Sequence, residues 1–393
     1  MDIRAILLIG GLEETGNKPR EERFGDIPLA CLDVLGMTVE ERVISRLRHF
    51  GVSVCSVIYD APREADPFTQ CAALDSEAQY LHETGEQFWQ IAEQTFHHCA
   101  DEGAELVIVH RLGPYVEVDY DEMIQHHLDR RNVMTQAIDS EKSDLDLFVL
   151  SATARMDVAE LFQGRLQRTR RGGEPFRVSG YVNRLRKAAD LRRLATDGLL
   201  VRNGVTPEGT EVKPGVWVGT LARVHRKARV VAPAYIGAHA KIRASALITR
   251  GSAIERHAEV DCGTVVENTT VLPFSCLGAG LDAMHCVVGF RRLAHLLRDV
   301  EVEIHDGKLV GMVPFSAVSR LAGSTAALFA FLPKELYRGL RASFRRKRAA
   351  RSVESPVETA ISAENPALEA SPSDPESSEF PSNLAVVRRY GDH

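Results

Sequence analysis

Several sets of residues in this 393-residue chain have types and spacings that could support chemistry. Residues 11–18 read GLEETGNK, with the glycine and lysine content of a loop that cradles phosphate. The spacing is G-x-x-x-x-G-x-K rather than an ending in G-K-[ST], and the interior is acidic, so phosphate-loop chemistry is not expected. His97-His98-Cys99 and His126-His127 carry metal-ligating types. Neighbours on a helix point about 100° apart and do not chelate together, so these side chains are expected to be solvated or packed. His225, His239, His257 and His285 are candidate general bases for acyl transfer, since a neutral imidazole can deprotonate an amine or hydroxyl.

Two cationic stretches could hold anions. Residues 223–256 contain eight Lys+Arg and one acid. One aromatic, Tyr235, stands among them and none alternates with the cations, which argues against stacking on nucleic-acid bases. Docking against the acidic N-terminal domain or against a second subunit is the expected use. Residues 338–351 contain seven basic residues and no acid, and they follow the apolar LAGSTAALFAFL of 321–332 after five residues. Apolar followed by polybasic sequence suits an anionic membrane surface, and a packed helix with a solvated basic end is the alternative.

The elements that must position these groups show two different periods. AILLIGG (5–11), VSVCSVIY (52–59), ELVIVH (105–110) and DLDLFVLSA (144–152) are aliphatic on consecutive positions, as in strands buried on both faces. Helical patterns lie between them: 39–50 closed by Gly51, a long one over 76–102, and 123–132. This alternation predicts a mostly parallel sheet covered by helices. A basic bridge over 161–200 ends in the helical RKAADLRRLATDG.

From 212 the pattern changes to period six. Val212, Val218, Val224, Val230, Ile236, Ile242, Ile248, Ile254, Val260, Val266 and Leu272 are all aliphatic. Two positions before each stands a small or β-branched residue. Neither helix nor ordinary strand sustains that spacing. A coil with three flat faces does, with one aliphatic side chain inward per face. After it, FRRLAHLLRDVEVEIHDGKLVG predicts a short helix and a closing hairpin turning at Asp306-Gly307.

Composition bounds the rest. The chain is 44% hydrophobic and 26% charged, which excludes a wholly disordered or multi-span membrane protein. The apolar run near the N-terminus is too short for a secretory signal and reads as a buried strand. The seven cysteines form no C-x-x-C pair, as expected of a reduced, cytoplasmic chain. The net charge of −6 divides into −18 over 1–160, +18 over 161–351 and −6 over 352–393. The last 42 residues hold eight Ser and five Pro and little to bury, so an unstructured acidic tail is expected.

Together these residues resemble one family, the sugar-phosphate nucleotidyltransferases such as mannose-1-phosphate guanylyltransferase. AILLIGG (5–11) resembles its first strand and glycine turn, and 27–52 its lysine–proline element and following helix. VDYDEMIQHHLDRRN (118–132) resembles the helix after its metal-binding strand. SGYVNRLRKAADLRRLATDGLL (179–200) resembles the segment that closes its sugar site.

The resemblance implies an α/β nucleotidyltransferase-like (Rossmann-like) domain over 1–200 and a left-handed parallel β-helix with its cap over 201–314. An apolar-then-basic segment (315–351) and the tail (352–393) follow. It also implies nucleotide binding by Gly10, Gly11, Lys18, Arg20 and Arg23, and a sugar site at Tyr181 and Asn183. Sugar phosphate or nucleotide sugar would be the ligand, and the partner another copy or an active homologue.

The sequence departs from the family at its chemistry. The loop after Gly11 is acid-rich, Ile27-Pro28 lacks the lysine, and HRLGPY (110–115) stands where the family has glycine–aspartate. The expectation is a degenerate domain kept for binding, regulation or assembly, with no metal and no catalytic residue assigned. An active pyrophosphorylase using Lys18, Arg20, Arg23 and Mg²⁺ is the first alternative. A hexapeptide acyltransferase is the second, although the nearly unbroken register over 207–272 shows no inserted loop for an acyl-donor pocket. A cytoplasmic location, peripheral at the inner membrane surface, is expected.

Overall fold

The computed structural model describes residues 1–11, 22–60, 78–166 and 173–313. The expectations that fall on 315–351 and 352–393 lie outside them.

Seven strands form the first sheet: β1 (Ile3–Ile9), β2 (Val54–Asp60), β3 (Ala78–Glu83), β4 (Leu106–Arg111), β5 (Met134–Ile138), β6 (Asp144–Ser151) and β7 (Phe176–Arg177). Their order is β7-β5-β6-β4-β1-β2-β3. All pairings are parallel except those of β6, which runs antiparallel to both neighbours. Strand alternation explains why the aliphatic runs are continuous. Ala5, Leu7 and Ile9 face one core, and Ile6 and Leu8 face the other.

Helices cover both faces. On one side lie α1 (Val39–Phe50) and α3 (Tyr120–Asp129), contributing Val39, Val43, Leu47, Met123 and Ile124. On the other lie α2 (Glu86–Asp101) and α4 (Arg155–Gln163), contributing Phe88, Trp89, Phe96, Val158 and Phe162. Helix α1 begins at a capping box between Thr38 and Glu41 and ends at Gly51, whose φ of 104° suits a left-handed cap. The long helix expected over 76–102 is shorter. Its first part is the edge strand β3, and α2 starts at Glu86.

Helix α5 (Ala188–Leu199) leads into three parallel ladders. The first runs through Val216–Val218, Ala234–Ile236, Ala253–Ile254, Thr270–Val271 and Cys286–Gly289. The second runs through Arg223–Val224, Lys241–Ile242, Glu259–Val260 and Ser275–Leu277, and the third through Arg229–Val230, Leu247–Thr249, Val265–Glu267 and Asp282–Met284. Lys241 pairs with Arg223 and Glu259, so neighbouring rungs are 18 residues apart. Ile236, Ile242, Ile248, Ile254, Val260 and Val266 from all three ladders share one buried column. Each such side chain is worth about 1.5–3 kcal/mol of burial.

Three details differ from the expected pattern. The register shortens by one residue near Asn268, so Ile254 pairs with Val271. Val271 then fills the column, while Leu272 is buried against the α/β core. At the start of the stack Val212 and Val224 line the cavity that continues the column, yet they are exposed, because no earlier rung among the described residues covers them. The segment read as a short helix is instead a strand, Arg292–His295, paired antiparallel with Cys286–Gly289 and with Val300–Glu303. The chain then turns back through Val310–Met312 onto Ser275–Leu277.

The sheet domain and the ladders form one body. Tyr235, Ala253, Leu272, Val287 and Phe290 belong to the same core as Leu29, Leu35, Leu191 and Leu194.

Candidate functional site

In open parallel sheets, ligands bind beyond the carboxyl ends of strands where the chain reverses its direction of travel across the sheet. Here that point lies between β1 and β4, since the chain moves from β1 outward to β2 and β3 before returning to β4. Gly10 and Gly11 follow β1, and His110 and Arg111 end β4.

The glycine turn is filled by the protein itself. Gly11 N–H donates to Asp60 Oδ2 at 3.0 Å, and Gly85 N–H to Asp60 Oδ1 at 3.2 Å. A Cβ on Gly10 would lie 2.6 Å from Asp60 Cβ, and one on Gly11 would lie 2.7 Å from Phe88 and Trp89 ring atoms. Both residues have positive φ, 103° and 77°. The close approach that requires glycine is therefore to Asp60 and the two aromatic rings.

Arg111 is held from both sides. Its Nη1 and Nη2 donate to the Glu22 carboxylate at 2.7 and 3.2 Å, and its Nε donates to Asp146 Oδ2 at 3.0 Å. Burial alone would lower its pKa, but Asp146 and Glu22 outweigh that and keep it charged. Beside it His110 is buried, and burial together with Arg46 and Arg111 lowers its pKa to about 3. It is neutral at physiological pH. Arg184 forms an ion pair with Asp139, whose carboxylate also accepts from the N–H groups of Glu141 and Ser143.

The sugar-site candidates are neighbours of each other and are tied to α5. Tyr181 Oη donates to Asp197 at 2.8 Å. Asn183 is buried, donates to the Asp190 carbonyl at 2.9 Å, and accepts from Leu185 N–H at 3.0 Å. Arg23 sits in a two-residue strand pair and donates to the Asp26 carbonyl at 3.3 Å. Lys18 and Arg20 lie outside the described residues.

The histidines take separate positions. His127 bridges Thr135 and Ser151, and His126 contacts the Glu174 carbonyl. His97 and His98 pair with Glu93 and Glu102. His239, His257 and Phe274 stack along one corner of the ladders, with centroids 4.6 and 4.7 Å apart. Burial, then His239 and nearby cations, lowers the His257 pKa to about 4. A base that weak is poorly suited to acyl transfer. Among the described residues no three His, Cys, Asp or Glu side chains converge on a metal position. The crevice carboxylates Glu22, Asp60, Asp139 and Asp146 are each committed to a cation or an amide, so this donor set does not fit Mg²⁺.

A second polar cluster, which the sequence reading missed, lies in the seam between the sheet domain and the ladders. Glu255 is fully buried, and its two carboxylate oxygens accept from Leu35 and Gly36 N–H at 2.9 Å each. These amides form the turn of the hairpin Asp33–Val34/Met37–Thr38, with φ of 56° and 99°. A Cβ on Gly36 would meet Tyr235 Oη at 2.4 Å. Asp33, also fully buried, pairs with Arg256 at 2.8 Å. Arg42 donates to the carbonyls of Val34 and Thr206 at 2.6 and 3.1 Å. Burial raises the Asp33 pKa to about 6 against the pull of Arg256. Burial and Asp33 raise that of Glu255 to about 8. Arg256 is thus where the expected docking of the basic stretch on the acidic domain takes place. Lys241, Arg243 and Arg250 pair instead with Glu259 and Glu267 inside the ladders.

No helix among the described residues is long and apolar enough to cross a membrane. No protein-family model and no curated protein matches the sequence. Among solved structures, the chain is similar to HddC from Yersinia pseudotuberculosis, with 16% identity and a TM-score of 0.38 over 50% of this chain and 98% of that one.

Proposed function

We propose that this chain is a sugar-phosphate nucleotidyltransferase-like protein of sugar-nucleotide or polysaccharide supply that acts in ligand binding, regulation or assembly rather than turnover. On this reading residues 1–200 are the degenerate domain, and 201–314 are a left-handed parallel β-helix of hexapeptide repeats with its cap. The 18-residue rung spacing and the shared aliphatic column support the second part.

The observation that carries the functional reading is the internal closure of the crevice. Nucleotidyl transfer needs donors and cations aimed at the charge that develops on the phosphate under attack. In this crevice the amides of Gly11 and Gly85 are occupied by Asp60. The Arg111 guanidinium is matched by two carboxylates. An entering triphosphate would have to displace Asp60 or separate Arg111 from Glu22 and Asp146, each at the expense of a formed charge-assisted hydrogen bond. Ile27 offers no charge where the family has lysine.

The test is pyrophosphate release from NTP with mannose-1-phosphate or glucose-1-phosphate, with and without Mg²⁺. No release is expected. Turnover near 1 per second or faster, an ordinary enzyme rate, would overturn the reading and direct attention to Lys18, Arg20 and Arg23. Isothermal titration with nucleotide sugars separates a binder from an assembly partner.

A further inference from the structure

The two ends of the ladder stack are finished differently. At the far end, Arg292–His295, Val300–Glu303 and Val310–Met312 add antiparallel strands to two ladders. At the near end, among the described residues, only the first ladder is covered, by Thr210–Lys213. Among the described residues, Arg223–Val224 and Arg229–Val230 each have a ladder neighbour on one side alone. Between them opens a cavity of about 340 Å³, lined by Val212, Val216, Val218, Val224, Val230 and Ile236 among others. Val224 is 40% exposed and Leu221 is 71% exposed. An open strand edge over an apolar cavity is a ready template for one more strand.

The rim of this opening is cationic. Lys213, Arg223, Arg226, Lys227 and Arg229 are exposed and have no acidic partner among the described residues. A second copy docking end to end would bring two such rims together, so like charge opposes it. Within the chain, 321–332 is apolar but continues into the cations of 338–351, which the rim repels. Residues 352–393 carry eight acids against two bases, Arg388 and Arg389, and include the apolar Leu384-Ala385-Val386-Val387.

Reach favours the same segment. The described chain ends at Val313, whose N–H donates to the Phe274 carbonyl. Phe274 stands on the same corner as His257 and His239, three rungs from Leu221. At about 4.8 Å per rung that is about 15 Å, well within what the roughly 40 residues between Val313 and residue 352 can reach at about 3.3 Å or less per residue. A tethered segment that can reach its site is present at roughly millimolar effective concentration.

We propose that residues 352–387 of the same chain dock on the open end of the ladders, with 384–387 over the apolar cavity and the acids on the cationic rim. The experiment uses the full chain with a photo-crosslinking phenylalanine analogue at Val224, a matching control at the exposed Val302 of the far end, and mass spectrometry of the adducts. Val224 should crosslink within the chain to 352–387, and Val302 should not. The yield should fall several-fold between 0.05 and 1 M NaCl as the Debye length shrinks from about 14 to about 3 Å. It should fall similarly in a folded Arg223→Glu/Arg226→Glu/Arg229→Glu variant. Mixing isotopically light and heavy chains identifies the donor of the segment. Adducts to the rim or tail of a second copy, adducts to 314–351, or no adduct would each overturn the proposal.

Discussion

The crevice at the carboxyl edge of the sheet and the seam between sheet and ladders both withdraw charge from water, and they balance it in opposite ways. In the crevice these acids are all partnered: Glu22 and Asp146 share Arg111, Asp139 has Arg184, and Asp60 has two amides. These groups keep some access to solvent, and the carboxylates of Glu22 and Asp146 are 16% and 22% exposed. In the seam Asp33 and Glu255 are wholly buried; burial raises the pKa of both, and Asp33 raises that of Glu255 further. A region that resembles a ligand site is thus electrostatically settled, while an interior contact that resembles plain packing holds strain that pH can reach.

Removing one cation from each region should therefore have unequal effects. Arg256→Ala leaves Asp33 buried without its ion pair, and breaking a buried pair from one side costs about 3–5 kcal/mol. Arg111→Ala leaves Glu22 and Asp146 near solvent and is expected to cost less, about 1–3 kcal/mol. Denaturant midpoints of the two variants check this. If Arg111→Ala is the more damaging, the crevice is the tighter electrostatic unit and the contrast fails.

The same contrast predicts a pH dependence. Asp33 moves from 3.8 to about 6 and Glu255 from 4.5 to about 8 on folding. The folded chain therefore binds more protons than the unfolded one between about pH 4 and pH 8. Stability contributed by these acids is full at the low end of that window and is lost as pH rises through 6 and then 8. Arg256, Arg42 and Glu41 face the same groups and set the size of the slope. Melting temperature should fall from pH 5 to pH 8.5, and Glu255→Gln should flatten the part above pH 6. A wild-type profile rising over this range would show that the seam does not control it.

Much of the fold is legible in the sequence because it repeats with a period. Aliphatic runs gave the strands of the sheet, and period six marked the ladders. The failures have local causes. The edge strand Ala78–Glu83 is only half-buried, so AQYLHE carries no clean alternation and merges into the helical pattern after it. The one-residue slip near Asn268 is hidden because Val271 and Leu272 are both aliphatic, and both are buried against different cores. RRLAHLL has helical composition but is drawn into a strand by the free edge of Cys286–Gly289. The charge pairs are the least legible. Arg111 meets Glu22 across 89 positions and Glu255 meets Leu35 across 220, and no spacing rule links residues so far apart.

The smallest expected effect on stability is also the most direct test of the crevice. Asp60→Ala removes one acceptor shared by two amides that lie near solvent, so water can replace it, and a loss of about 1 kcal/mol or less is expected. Its effect on binding should be larger. With Asp60 gone, the N–H groups of Gly11 and Gly85 lose their anion at the carboxyl end of β1, where the chain's reversal favours a ligand. Backbone amides freed in this way are suited to phosphate oxygens. Titration with inorganic pyrophosphate should give no measurable heat for the natural chain and saturable binding, tightened at least about tenfold, for Asp60→Ala. Phe88 and Trp89 still crowd Gly11, so a second change, Trp89→Ala, should tighten it further. If the natural chain binds pyrophosphate as well as Asp60→Ala does, Asp60 is not the group that closes the crevice.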